Sequence, residues 1–200
     1  MEIDVSTLAP GAAYRWMIAC VVPRPIAWVS TLSVAGVPNL APFSFFGGVT
    51  SDPPIVMVSV GRRRDGSRKD TATNLLATRE AVVHVPDRER ASAMVATSAD
   101  VAPDVDEFEL AGLATLAAVQ VRPPRIADAP IAMECSLERH EELGRGPVDL
   151  FLLRILRFHV ADALLVDGLP DAARLRAVGR LGREDYCDTS ATFRIPRPGR

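Results

Sequence analysis

Two hundred residues, 48% hydrophobic and 24% charged, fit one folded domain spanning 1–200 and exclude a disordered chain. A formal net charge of −2 argues against nucleic acid as the main partner, since such proteins carry a positive excess. No apolar run approaches the roughly eighteen residues of a membrane span. The first ten residues, with Glu2 and Asp4, lack the basic start of a secretion signal. Three scattered cysteines (Cys20, Cys135, Cys187) suit neither a disulfide framework nor a CxxC zinc site. A soluble protein of the reducing cytoplasm is the expectation.

In chain order, Pro25 to Leu32 reads as a buried strand, followed by a hairpin turn over Ser33 to Pro38 with Gly36 free to take a positive φ. Leu40 to Val49 is expected as one return strand, bent by Pro42 and by Gly47-Gly48, and Pro54 to Val60 as the next. Asp70 is positioned to cap a helix over Thr71 to Thr78. Strand Ala81 to Val85 precedes a helix from Asp87 to Thr97, with Ala91, Met94 and Val95 on one face. A short acidic helix over Val105 to Ala111 follows, then strands Thr115 to Val121, Ile131 to Arg139 and Leu150 to Val160. About seven strands with irregularly placed helices fit an antiparallel barrel better than a Rossmann sheet.

The segment Gly61 to Asp70 (GRRRDGSRKD) gathers Arg62, Arg63, Arg64, Arg68 and Lys69 in a loop entering a helix. A helix N-terminus with cations and hydroxyls beside it can hold a phosphate, and a solvated basic loop is the other reading. The loop lacks the spacing of a P-loop. Lys69 is the sole lysine among 23 Lys and Arg, which hints at a need for a compact ammonium. The polar Ser30, Thr31 and Asn39 lie in otherwise apolar strands. They either serve one another across the ladder or meet the ribityl hydroxyls and ring edge of a flavin. His84, His140 and His159 share no metal-ligand spacing, and no hydrolase motif is present, so no catalytic residue or metal site is assigned. A bound cofactor is the remaining route to chemistry.

The ordered series PRPIAWVST (Pro23 to Thr31), GVPNLAPFSFF (Gly36 to Phe46), DPP (Asp52 to Pro54), Ser59 to Gly61, KDTATN (Lys69 to Asn74), ATSAD, DEFELAGL and Gly179 to Tyr186 resembles the flavin reductase-like family, in its flavoredoxin-like branch. The resemblance implies a mainly β fold with peripheral helices: an FMN-binding split β-barrel of antiparallel Greek-key type, working as a homodimer. It also implies non-covalent FMN, with Trp28, Val29, Ser30 and Thr31 lining the flavin and Asn39, Ala41, Ser44 and Phe45 at its ring and ribityl chain. Ser59, Lys69, Asp70 and Thr71 would surround the phosphate. The implied activity is an NAD(P)H:flavin reductase drawing on NADH or NADPH and supplying a partner monooxygenase. A tightly bound FMN enzyme acting on a small substrate, or an electron-transfer module, is the alternative. The chain departs from the family in three places. GRGPVDLFLLRIL after Leu143 lacks a Gly-Asp-His element, Arg154 stands where relatives often carry a small or acidic residue, and His84 where many carry Asn.

Overall fold

Strands form where β-branched runs can send alternate side chains into two packing layers. In the computed structural model, which describes residues 1–199, the chain opens with α1 (Ala12–Cys20), β1 (Arg24–Pro25), β2 (Ala27–Leu32), β3 (Pro38–Phe43), β4 (Phe46–Ser51) and β5 (Pro54–Gly61). Next come α2 (Asp70–Thr78), β6 (Glu80–Val85), α3 (Ala91–Ala96), α4 (Glu107–Leu110), β7 (Thr115–Leu116) and β8 (Arg125–Ile126). The long β9 (Ile131–Leu143) and β10 (Val148–Val160) precede β11 (Leu165–Val166), β12 (Leu169–Pro170), α5 (Ala172–Leu175), β13 (Val178–Arg180) and β14 (Tyr186–Asp188).

Seven strands make one antiparallel sheet in the order β3-β2-β6-β9-β10-β5-β4. The expected single return strand is in fact two. The backbone breaks at Ser44-Phe45 and carries the chain from one edge of the sheet to the other. There the Ser59 N–H donates to Phe45 O at 2.9 Å, which extends the β4-β5 ladder by one rung, and the chain itself links the two edges of the split barrel. Alternation along β2 builds two cores. Ala27 and Val29 enter the barrel with Val58, Val60, Val83, Phe151 and Leu153. Trp28 points the other way, with Ile26, Leu40, Met94, Phe108 and Ile126. Each fully buried Phe or Leu contributes about 1.5–3 kcal/mol.

Three further expectations need correction. The stretch Thr115 to Val121 is not a strand beyond Leu116, because the buried Glu134 carboxylate accepts the Val119 and Gln120 N–H groups that a ladder would have used. Lys69, not Asp70, caps α2, and Asp70 is its first helical residue. Asp87 accepts the Arg90 N–H at 3.0 Å in a turn ahead of α3, on which Met94 is buried but Val95 faces outward. Helix α1 and the small sheet β1-β13-β14 were not anticipated. The buried Arg24 ties them together by donating to Ile18 O, Val21 O and Leu181 O at 2.6–2.7 Å.

Candidate functional site

The basic loop is mostly neutralised by distant acids. Asp149, fully buried on β10, faces both ends of the loop. Arg68 Nε donates to Asp149 Oδ1 at 3.2 Å and Arg62 Nη2 to the same oxygen at 3.3 Å, with Arg62 Nε 3.1 Å from Oδ2. Glu142 accepts from both arginines, and His140 Nε2 sits 2.8 Å from Asp149. Arg63 pairs with Asp70 at 2.6 Å and Asp100 at 3.2 Å. Among the described residues, only Arg64 and Lys69 of the loop lack a carboxylate partner. The cluster is therefore a cross-linked scaffold that leaves two charges free.

Lys69 stands where three cavities meet. Its ammonium lies 5.9 Å from the Phe43 ring centroid, and the first N–H groups of α2 that follow it have no intrahelical acceptor. A polar cavity of about 400 Å³ contains Asn39, Ala41, Asp70, Thr71 and Glu107. A more apolar one of about 570 Å³ contains Phe43, Ser44, Phe45, Ser59 and Met17. A third, of about 370 Å³, lies toward α1 and β13. Lys69 and Pro42 line all three. The sequence-derived site residues that line a cavity thus divide into a polar group and an apolar group, with the lysine between them.

A buried network orients the polar group. Asn39 Oδ1 accepts from Thr71 Oγ1 at 2.8 Å and Thr31 Oγ1 at 3.2 Å, and Asn74 Nδ2 donates to Thr31 Oγ1 at 3.1 Å. Asn39 Nδ2 donates to Glu107 Oε1 at 2.8 Å, and the Leu40 N–H to Glu107 Oε2 at 3.0 Å. Burial pushes the Glu107 carboxyl above the usual carboxylate range, against these hydrogen bonds. Glu107 lay within the DEFELAGL motif but was not singled out, being one acid in an acidic stretch. Asn74 was visible as the end of KDTATN. Of the polar strand residues, Thr31 and Asn39 satisfy one another, and Asn39 also lines a cavity.

Trp28, Val29, Ser30 and Thr31 line none of the three cavities. β2 lies inside the sheet, so its backbone from Trp28 to Ser30 is flanked by partners on both sides. The Trp28 indole N–H donates to Thr97 Oγ1 at 2.8 Å, supporting a residue of the polar cavity from behind. Val29 is core, and the Ser30 hydroxyl is buried without a partner among the described residues. His84 is structural. The Ile126 N–H donates to its Nε2, which leaves the ring proton on Nδ1 facing Trp28 O, and burial lowers its pKa to about 4. Burial pushes the Cys135 thiol up to about 12, so it is inert at neutral pH.

Comparison with known proteins identifies the family of the chain. The family model described as "Flavin reductase like domain" matches residues 18–171. An uncharacterized protein of Halalkalibacterium halodurans is 39% identical over 202 residues, covering 99% of this chain and 97% of its own length. The crystal structure of nitrilotriacetate monooxygenase component B from Bacillus cereus is similar at 35% identity and TM-score 0.93, with 98% of each chain covered. That of 2-nitrobenzoate 2-nitroreductase NbaA from Pseudomonas fluorescens is similar at 28% identity and TM-score 0.89, covering 100% of this chain and 97% of that one. The chain belongs to the flavin reductase-like family.

Proposed function

We propose that the protein binds FMN non-covalently and acts as an NAD(P)H:flavin oxidoreductase that passes electrons to a partner. One observation carries this reading: the free Lys69 ammonium, at the N-terminus of α2, separates an apolar cavity from a polar one. A flavin nucleotide has the same division into a flat apolar ring, a hydroxylated chain and a phosphate. Lys69, Thr71 and the first N–H groups of α2 would hold the phosphate, with Asp70 kept from repelling it by Arg63. Asn39 and Ala41 would meet the ribityl chain, and Ser44, Phe45 and Ser59 the ring. Trp28 to Thr31 would support the site through Thr97 and Asn39. The bound flavin would supply the hydride chemistry, while the protein positions it and excludes water.

The apolar surface of α1 (Tyr14, Trp16 and Met17), with Phe193 and Ile195 near the C-terminus, is exposed and supports a homodimer. Three free cysteines support a reducing, cytoplasmic setting. No helix among the described residues is long and apolar enough to cross a membrane. Likeness to a monooxygenase component B supports a partner monooxygenase, and likeness to a nitroreductase supports the second reading, direct reduction of a small substrate. Anaerobic addition of NADH or NADPH to the FMN-loaded protein should bleach the flavin band near about 450 nm. Retention of full colour with both donors overturns the reductase reading.

A further inference from the structure

The third cavity, bounded by α1, the end of β3 and the β1-β13-β14 sheet, is lined by charge of one sign. Four cations line it: Arg24, Lys69, Arg180 and Arg183. No carboxylate does, in a chain of net charge −2. Glu184 and Asp185 belong to the same turn as Arg183 but are not in the lining. The rest of the wall mixes two serines, Ser44 and Ser98, with aromatic and aliphatic side chains that include Tyr14, Phe43 and Tyr186.

Two of these cations, Arg24 and Arg180, are held in place without being neutralised. Arg24 spends its donors on three backbone carbonyls and on Ser44 Oγ at 3.4 Å, so its charge has no counterion. Arg180 donates to Tyr186 Oη and Arg183 O, and its guanidinium carbon lies 4.5 Å from the Tyr186 ring centroid. Because Tyr186 Oη accepts from Arg180, its own proton is free to donate. Arg180 and Arg183 have no ion pair among the described residues. A guanidinium field without acids favours an anion, and apolar ring-bearing walls favour a flat hydrophobic body.

We infer that this cavity is a subsite for a small aromatic carboxylate. It shares Phe43, Ser44 and Lys69 with the apolar cavity, so its ligand would lie beside the flavin ring. That placement, unlike the binding itself, rests on the proposed function. A cavity of about 370 Å³ lies near the lower end of the range for ligand sites, about 300–1,000 Å³, and suits a single substituted ring.

The test is calorimetric titration of benzoate into the protein, both FMN-free and FMN-saturated, with uncharged benzamide and inorganic phosphate as comparators. Benzoate should bind both forms, with benzamide at least about tenfold weaker, the scale of one charge-assisted hydrogen bond. Arg183→Gln should bring benzoate down to the benzamide level while leaving the FMN titration unchanged, and Tyr186→Phe should weaken benzoate less. Equal binding of benzoate and benzamide, displacement of benzoate by equimolar phosphate, or no benzoate binding each overturns the inference. Failure of FMN to bind would instead sink the flavin reading, while the FMN-free titration still decides this one.

Discussion

Two arginine-rich turns show how differently the same side chain can be used. In the Gly61 to Asp70 loop, three of four arginines end on carboxylates, and Asp149, about eighty residues away in sequence, anchors both ends of the segment. In the turn around Arg183, the Arg180 guanidinium meets Tyr186 Oη and the Arg183 carbonyl, and neither arginine meets an acid among the described residues. The denser cluster is therefore mainly a scaffold, and the sparser one keeps more of its field. Density of cations in a sequence measures neither the local potential nor the anion-binding capacity, because counterions arrive from other strands.

If the loop is a scaffold, its anchor should be costly to remove. Asp149→Leu removes the buried acid shared by two guanidiniums and an imidazole, leaving Glu142 alone to the arginines, and should destabilise the fold by about 3 kcal/mol, read as a lowered urea midpoint. Arg183→Gln breaks no ion pair and should stay within about 0.5 kcal/mol. Equal midpoints for the two variants would erase the contrast between the turns.

Acid should sharpen it by revealing a third kind of site, a cavity-free core. His84 has a pKa of about 4 when folded against 6.5 when exposed, so the unfolded chain binds more protons between those values. Stability is complete above about pH 6.5 and falls as pH drops toward 4, by up to about 3 kcal/mol from this group. The raised Glu107 carboxyl works in the opposite direction above its ordinary 4.5 and trims that loss. Thermal unfolding across this range checks the slope, and His84→Asn should flatten it.

Within the loop, the free and the neutralised cations should behave differently toward ligand. Lys69→Ala should weaken FMN by about 1–3 kcal/mol and leave riboflavin, which has no phosphate, unaffected. Arg64→Ala, at an exposed position, should cost FMN less than about 1 kcal/mol. Equal losses of FMN and riboflavin with Lys69→Ala would mean that the lysine supports the fold instead of holding a phosphate.

Much of this arrangement was legible beforehand, but unevenly. Runs such as Ala27–Leu32 and Glu80–Val85 declared themselves because β-branched residues in short apolar stretches have few other uses. The polar residues Thr31, Asn39 and Thr71 could be singled out because a buried hydroxyl or amide must find a partner. Their division between cavities could not. Glu107 and Asp149 looked like ordinary surface acids, since nothing local distinguishes a carboxylate that will be buried 68 or 81 residues from its partner.

Composition and strand punctuation were enough to specify an antiparallel barrel and to mark the single lysine at a helix entrance, because local periodicity and charge type are written along the chain; the flavin came only with the ordered motifs that resemble a known family. Which arginines stay unpaired, where β3 gives way to β4, and how three cavities converge on one ammonium were settled only by folding. Those properties depend on which distant acids, carbonyls and ring faces end up within a few ångströms, and the barrel's closure alone decides that.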